Sequence, residues 1–157
     1  MKFLNQKGFF LVEVVVTTAI ITVVLVSILG LIQNSVEASQ RSLEFTQAGY
    51  LLEEGVESIK SIRDGVWTNI TALSVGTNYY LSWNGSNWSL STTPSTIGLF
   101  TRIVTIDTVS RDSSDDITLS GGTNDTGTKK FSVAITWNTP SGNQSKNIEF
   151  YISDIRS

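Results

Sequence analysis

The feature that most constrains this chain is an apolar run near its N-terminus. Residues 9–32, FFLVEVVVTTAIITVVLVSILGLI, contain one charged residue, Glu13. A helix rises about 1.5 Å per residue, so this run would be roughly 36 Å long, enough to cross a bilayer core of about 30 Å. A cleavable secretory signal has an apolar region of about 7–15 residues followed by a small-residue cleavage site, and this run has neither property. The run therefore predicts a membrane-spanning helix.

The charges around the apolar run predict its orientation. Lys2 and Lys7 precede it, and no acidic residue occurs before Glu13. The positive-inside rule then leaves residues 1–8 in the cytoplasm and places everything after about residue 33 across the membrane. A carboxylate at the centre of a bilayer costs about 2.5–3.5 kcal/mol. Glu13 is thus either functional or close enough to the membrane edge to reach water.

The composition excludes several classes of function. The chain has no cysteine and no histidine, so it has no disulfide, thiolate nucleophile, Cys/His zinc site, Ser-His-Asp triad or imidazole base. Its net charge is −3 and its isoelectric point is about 4.8, whereas nucleic-acid binding needs a basic face. An enzyme would have to use carboxylates, hydroxyls or lysines.

Residues 7–13 read KGFFLVE and lie between a short polar leader and the long apolar run. This pattern resembles the N-terminal signature of type IV pilins and of the pseudopilins of type II secretion. In that family a membrane aspartyl peptidase cuts after the glycine and then methylates the new N-terminal residue. The resemblance implies that Gly8 ends a leader and that the mature chain begins with a methylated Phe9.

Glu13 falls where the family keeps a glutamate, fifth after the cut. The resemblance implies that its carboxylate pairs with the free amine of Phe9 in a neighbouring subunit, because a carboxylate packed away from water needs a cationic partner. Such a pair would set the axial register as subunits are added. Gly30 lies where many pilins have a helix-breaking Pro or Gly, which implies a local loosening, although glycine is also an ordinary packing residue in membrane helices.

Beyond the apolar run an amphipathic pattern continues the helix. A helix over residues 9–63 is far longer than a compact domain of this size needs. We expect it to end at Asp64 and Gly65, with Gly65 in a left-handed C-cap. Gly49 and Gly55 each cost about 1 kcal/mol relative to alanine, so we expect strands to approach the helix closely there. The apolar positions of this part are Val36, Leu43, Leu52, Val56, Ile59 and Ile62.

The rest of the chain, residues 66–157, is rich in Ser, Thr and Asn, which suits short strands and turns. Period-2 alternation predicts a small antiparallel sheet. With the preceding helix this gives an α+β fold of the pilin type, in which the second half of the helix packs on the sheet. The predicted strands are residues 79–83, 87–91, 99–109, 131–137 and 148–152.

A hairpin is predicted between the first two strands. The Asn-Gly dipeptide at residues 84–85 is a strong signal for a two-residue turn. That turn pairs Trp83 with Ser86 and Leu81 with Trp88. One face of the hairpin then carries apolar side chains and the other carries polar ones.

The tryptophans allow two interpretations. Exposed indole rings could form a platform for sugars, whereas rings on apolar faces belong to the core. The alternation places at least three of the four on apolar faces, which favours the core. The four are Trp67, Trp83, Trp88 and Trp137.

The acidic segment at residues 111–130 is predicted to be a long loop, and such loops are often functional or mobile. Its carboxylates are candidate calcium ligands, although their spacing matches no EF-hand. A carboxylate-pair glycosidase is conceivable from the same residues, but nothing fixes two acids across a cleft. We therefore expect no cofactor, with calcium left open. The candidate ligands are Asp112, Asp115, Asp116 and Asp125.

The predicted organisation has four parts. The segment at residues 48–67 resembles a segment of minor pilins, which favours a minor subunit. Because the chain has no cysteine, no disulfide closes its C-terminal region as one does in many pilins. The parts are a cleaved leader (1–8), a membrane or filament-core half of the helix (9–32), an amphipathic extracytoplasmic half (33–65) and a β-rich head (66–157).

The predicted function is structural rather than enzymatic. The resemblance implies a minor pilin or pseudopilin precursor, anchored by one helix in the cytoplasmic membrane and then assembled into a cell-surface pilus or a secretion pseudopilus. The implied partners are the prepilin peptidase and methyltransferase, other pilin subunits, the inner-membrane assembly platform and membrane lipid, with no nucleic acid. The alternative is a permanently anchored β module that binds glycan or protein ligands.

Overall fold

The computed structural model describes residues 6–155, with side chains from residue 10 onward. Residues 1–5 of the predicted leader, the surroundings of Gly8 and the side chain of Phe9 lie outside this description. One long N-terminal helix and antiparallel sheets confirm the predicted α+β class. The elements are α1 (Gln6–Gly65), α2 (Thr68–Thr71), β1 (Tyr80–Trp83), β2 (Trp88–Ser91), β3 (Thr96–Ile97), β4 (Phe100–Arg111), β5 (Ile117–Thr118), β6 (Thr123–Thr139) and β7 (Gly142–Ser153).

The chain divides into two compact units, with the boundary between Glu44 and Phe45 inside α1. In the first unit almost every described side chain is exposed. The most apolar 18-residue window of α1 has a mean hydropathy of 2.7 and none of it is buried. By length and composition α1 can therefore cross a membrane. It continues through Gly30 as regular α-helix, and the loosening there stays a prediction.

The second unit contains two antiparallel sheets. The larger has the order β3-β4-β6-β7, with β5 also paired to β4, and β1 and β2 form a separate hairpin. The register of β4 and β6 shifts once, between Thr108 and Val109. The pairing of β6 with β7 is unbroken over twelve residue pairs, from Thr128 opposite Ser153 to Thr139 opposite Gly142. Strand β6 is therefore the centre of the sheet.

The core lies between residues 45–65 of α1 and one face of the larger sheet. Alternate residues of β4 and β6 point inward, as the period of two requires. The expected close approach at Gly55 is confirmed, because a Cβ there would lie 3.0 Å from Val133 Cγ1. At Gly49 it would lie 3.1 Å from Lys146 Nζ. Buried core residues include Ala48, Leu52, Ile59, Ile62, Phe100, Val104, Ile106, Phe131, Val133, Ile135 and Trp137.

The predicted register of the β1–β2 hairpin is wrong. Trp83 pairs with Trp88, and Leu81 pairs with Leu90, so the loop has four residues rather than two. The reason is the side chain of Asn84, whose Oδ1 accepts the backbone N–H groups of Ser86 and Asn87 at 3.0 and 2.8 Å and so stabilises the wider loop. A shift of two residues keeps the predicted faces, because the side-chain period of a strand is two.

The prediction of a single long loop over residues 111–130 is also wrong. The segment contains β5, and β6 begins at Thr123. The sequence between Thr123 and Lys130 is polar on both faces, so it shows no alternation. Its strand structure comes from pairing with β4 and β7 instead.

The predicted left-handed cap at Gly65 is wrong as well. Gly65 is the last residue of α1 and has no positive φ. The chain stays in the right-handed region at Trp67 (φ −56°, ψ −31°) and leads directly into α2, where Asn69 N donates to Val66 O at 3.0 Å. Because α2 begins at Thr68, three residues after Gly65, the backbone has no room for a left-handed turn at Gly65.

Candidate functional site

Glu13 lies in the exposed apolar unit of α1. Its neighbours Val12 and Val14 are 60% and 45% exposed, and its backbone carbonyl accepts the hydroxyl of Thr17 at 2.7 Å. Within residues 10–155 the carboxylate of Glu13 forms no ion pair. The predicted partner, the amine of Phe9 in another subunit, belongs to a second chain. Their pairing therefore stays a prediction.

The apolar side chains around Glu13 cover every side of the helix. Residues 10–32 are exposed at almost every position, and their large apolar side chains range from 45% exposed at Val14 to 69% at Phe10 and Leu31. A helix that is apolar all round is normally buried, in a membrane or among other helices. This unit therefore needs surroundings that one copy of the chain does not supply.

Hydroxyl groups in this unit bond to their own helix. Thr18 donates to Val14 O at 2.9 Å, Thr22 to Thr18 O at 2.7 Å and Ser27 to Val23 O at 2.8 Å, in the same way as Thr17. Each of these hydroxyls has an acceptor one turn earlier. Glu13 differs from these residues. Its carboxylate is strongly polar, and no group of its own helix in residues 10–32 donates a hydrogen bond to it.

The four candidate calcium ligands lie near Arg111 but do not converge on one point. Asp112 Oδ1 accepts the backbone N–H groups of Ser114 and Asp116 at 2.8 and 3.1 Å. Asp125 Oδ2 is 2.7 Å from Arg111 Nε, and Asp115 Oδ1 is 3.7 Å from the same atom. In the described part of the chain no group of three or more His, Cys, Asp or Glu residues is placed to hold a metal ion. Calcium binding stays an untested expectation.

The electrostatic centre of this cluster is the pair formed by Arg111 and Asp125. The hydrogen bond from Arg111, then that from Thr128, lower the pKa of the Asp125 carboxyl from 3.8 to about 2. The same pair raises the pKa of Arg111. Arg111 also donates to Asp115 O at 2.8 Å, and Asp115 has a positive φ of 67°. The cluster thus holds together the segment between β4 and β6.

A buried arginine that the sequence interpretation missed joins three elements. Arg102 is 3% exposed, and its Nη1 lies 2.6 Å from Glu54 Oε2 and 3.1 Å from Leu51 O. Its guanidinium carbon lies 5.6 Å from the ring centroid of Trp88, and its Nε has no hydrogen-bond partner. The sequence does hold one signal for Arg102. It lies midway between Phe100 and Val104, at a position of β4 that the alternation places on the inward face. This arginine connects α1, β2 and β4.

The tryptophans mostly belong to the core, as predicted. Trp137 is 2% exposed, and Trp67 and Trp88 are partly buried against the core. Trp83 is 52% exposed, with its ring centroid 5.2 Å from that of Trp88. The structure therefore shows one exposed indole and no row of them in its described part.

Comparison with protein-family models, with curated proteins and with solved structures found no match to this chain.

Proposed function

We propose that this chain is a structural subunit, a minor pilin or pseudopilin precursor, that polymerises. It is cleaved after Gly8, methylated at Phe9 and assembled from the inner membrane into a type IV pilus or a secretion pseudopilus. The observation that carries the proposal is the exposed apolar unit of α1 with Glu13 as its one charged side chain in residues 10–32. A polymer of such helices would bury that surface without lipid.

Glu13 has a specific role in this proposal. A carboxylate among apolar side chains is costly unless a cation approaches it. The amine of Phe9 in the next subunit is such a cation, and cleavage after Gly8 is what creates it. Processing and assembly are therefore linked, because the uncleaved chain has an amide nitrogen at that position.

The head supports this proposal through its anchoring to the helix. Residues 45–65 of α1 bury one face on the sheet, and the ion pair of Glu54 with Arg102 fixes that contact. In the proposed polymer the helix carries the head with it from the cytoplasmic membrane to the cell surface. The prepilin peptidase and methyltransferase, the assembly platform, membrane lipid and other subunits are its partners, and it has no catalytic role.

Intact mass and N-terminal analysis of the native protein, from membranes and from a sheared surface fraction, test the proposal. We expect loss of residues 1–8 and one methyl group on Phe9. Gly8→Leu is the matching variant, since it blocks the cut and leaves α1 apolar. A native chain that still starts at Met1 would overturn the proposal.

Trp83 favours a second candidate, a permanently anchored module that binds glycans. Its exposed ring beside Trp88 is the kind of surface on which a sugar ring stacks. This candidate requires an unprocessed chain and glycan-array binding that Trp83→Ala abolishes. A processed chain, or binding that survives the substitution, would exclude it.

A further inference from the structure

A repeat of seven residues runs along α1 from the end of its apolar run. Residues 29–35, 36–42 and 43–49 read LGLIQNS, VEASQRS and LEFTQAG. Each repeat begins with an apolar residue, has glutamine at its fifth position and ends in serine or glycine. All three lie in the continuous helix α1. A helix with a seven-residue apolar repeat presents one straight seam to a partner helix.

The first and fourth positions of the repeat form this seam, and they are exposed. Leu29, Val36 and Leu43 occupy the first position and are 60%, 51% and 58% exposed. At the fourth position Ile32 is 54% exposed, and Ser39 is exposed as well. These five residues are called the α1 seam below. No other residue in the described part of the chain covers them.

Lipid does not account for the outer part of the α1 seam. If residues 9–32 cross the bilayer, Leu43 lies eleven residues, or about 16 Å, beyond the end of the span. Glu37 and Arg41 lie in the same stretch, and their exposed side chains pair at 3.4 Å. Val36 and Leu43 are therefore in aqueous surroundings, where contact with another protein surface stabilises apolar side chains.

In the second unit the head packs on a different side of α1. Ala48, at the sixth position of its repeat, is fully buried in the core. Thr46 and Tyr50, which continue the fourth and first positions, are exposed. The sixth position of a seven-residue repeat lies on the side of the helix away from the first and fourth. The head thus leaves the first and fourth positions open at residues 46–50.

The flanks of the α1 seam fit a second copy of the same helix. In two parallel helices the fifth and seventh positions face each other across the seam, and like charges there oppose the pairing of a helix with its own copy. Here a carboxamide meets a hydroxyl or a glycine, and the first two can share a hydrogen bond. The charged residues Glu37, Arg41 and Glu44 take the second and sixth positions, away from the seam. The flanking residues are Gln33, Gln40 and Gln47 at the fifth position and Ser35, Ser42 and Gly49 at the seventh.

Membrane anchoring would fix the orientation of two such helices. Copies inserted by the same apolar run have the same orientation, and their helices leave the bilayer at the same height. Confinement to one membrane also raises their effective concentration. Ser39 favours the same alignment, because in register it lies opposite Ser39 of the other copy. A shift by one repeat would place it opposite Ile32 instead.

We propose that two membrane-anchored copies of this chain pair through the α1 seam, in a parallel and in-register coiled coil over residues 29–43. The same surface is used on both copies, so the contact is isologous and closes at two chains. The inference goes beyond the proposed function. It needs only the anchored chain, a state that both candidate functions share.

Cysteine cross-linking of the full-length chain in membranes tests this contact, since the native sequence has no cysteine. Ser39→Cys places a thiol in the α1 seam with little change in size. Ala38→Cys is the matched control, because Ala38 is adjacent and also exposed but lies at the third position, off the seam. After mild oxidation with copper phenanthroline, we expect at least tenfold more disulfide-linked dimer from Ser39→Cys than from Ala38→Cys.

A mixed cross-link tests the register. Chains with Ser39→Cys and chains with Thr46→Cys, carrying different tags, are co-expressed and oxidised in the same way. The two positions are one repeat apart, about 10 Å along the helix. The in-register pair should therefore give at least fivefold less mixed dimer than Ser39→Cys dimer. As much mixed dimer as Ser39→Cys dimer would show a staggered contact and overturn the proposal.

An added charge gives a third readout. Val36→Lys in the Ser39→Cys chain should reduce the dimer at least fivefold, because it places two like charges in the seam. Asn34→Lys adds the same charge at the sixth position and should have little effect. Tryptophan fluorescence checks that the head of each variant is folded. Equal dimer from Ala38→Cys, no effect of Val36→Lys, or a cross-link of Ser39→Cys to a different protein and not to its copy would overturn the contact.

These outcomes are separate from those of the proposed function. A chain that is cleaved, methylated and found in filaments but gives no Ser39→Cys dimer would refute the contact and leave the proposed function intact. A chain that still starts at Met1 but gives the dimer would refute the proposed function and retain the contact.

Discussion

At the scale of single residues, one ion pair closes the acidic segment of the head. Arg111 and Asp125 lie fourteen positions apart, and their side chains meet at 2.7 Å across the connection between β4 and β6. The Asp125 side chain is 19% exposed, so water screens the pair less than it screens an ordinary surface pair. The lowered pKa of Asp125 makes this contact pH-dependent.

Asp125→Asn should lower the urea midpoint of unfolding at pH 5–7 and have little effect near pH 2. The pKa of Asp125 is depressed in the folded state, so its stabilisation is present above the unfolded pKa near 4 and is lost as the pH falls towards about 2. Tryptophan fluorescence of the full-length chain in detergent follows the head alone, because α1 contains no tryptophan. Asp107→Asn, an exposed carboxylate without an ion pair within residues 10–155, is the control; an equal pH response from both variants would contradict this assignment.

Arg102 and Glu54 form the other important pair, and their burial differs. The side chain of Arg102 is 3% exposed, whereas that of Glu54 is 47% exposed. Removing the glutamate leaves a guanidinium without a counter-ion in the core. Removing the arginine leaves a carboxylate that water can reach. The two substitutions should therefore lower the stability of the head by different amounts.

Glu54→Ala should destabilise the head by about 2–3 kcal/mol, because it leaves a buried charge uncompensated. Arg102→Met should cost about 1 kcal/mol or less, since an apolar side chain of similar length refills the site. Urea unfolding at pH 7 measures both. A larger loss for Arg102→Met than for Glu54→Ala would show that the arginine acts mainly through its packing on Trp88.

At the scale of elements, the contact between α1 and the sheet depends on a glycine. A Cβ at Gly55 would meet Val133 Cγ1 at 3.0 Å and Arg102 Cδ at 3.3 Å, both inside the core. At Gly65 a Cβ would meet nothing within 4 Å. The same substitution should therefore have opposite effects at the two positions.

Gly55→Ala should destabilise the head by about 1 kcal/mol, because the repacking of a full core exceeds the gain in helix propensity. Gly65→Ala should be neutral or stabilise by up to about 1 kcal/mol. Thermal unfolding followed by tryptophan fluorescence compares the two. If Gly55→Ala were the more stable variant, the strands would have room to move away from the helix.

Helices and strands whose apolar residues recur at a regular spacing could be predicted from the sequence. Strands made mainly of polar residues could not. Buried and less buried residues alternate along β4 and β6, with Val104, Ile106, Val133 and Ile135 inward, so the sequence predicts both strands and their faces. The start of β6 at Thr123 is polar on both faces, so only its partners identify it as a strand. Strand β3 and helix α2 are too short to produce a period.

The residues of the candidate site also differ in how well the sequence predicts them. Glu13 is evident in the sequence because a charge interrupts an apolar run. Arg102 was missed because one residue in an alternating strand gives no sign of its partner, Glu54, 48 positions away. The calcium candidates share only their residue type, and the sequence does not reveal that Asp125 pairs with Arg111, fourteen positions away.

At the scale of the whole molecule, the two units of the chain differ in whether their apolar side chains are buried. The first unit exposes apolar side chains on all sides, and the second buries its own core. The buried core lies within residues 45–157, so we expect folding of the head not to depend on the surroundings of residues 10–44. Substitutions in the first unit should change assembly and leave the stability of the head unchanged.

Glu13→Ala should leave the chain cleaved, methylated and in the membrane, and reduce its amount in the sheared filament fraction at least tenfold. The carboxylate is expected to act only between subunits, and its loss makes insertion into lipid easier. Quantitative immunoblotting of the two fractions measures this effect. Glu37→Ala, which breaks the exposed pair with Arg41, is the control and should change little. Normal incorporation of Glu13→Ala would remove Glu13 from the assembly mechanism.

The hydroxyls of Thr17, Thr18, Thr22 and Ser27, each bonded to a carbonyl of its own helix, bear on how this segment leaves lipid. In the proposed assembly this segment leaves lipid for protein surroundings, and none of these hydrogen bonds has to break or be replaced. For the proposed polymer, the transfer of this segment out of lipid thus depends on apolar packing and on Glu13, and the hydroxyls leave it unaffected.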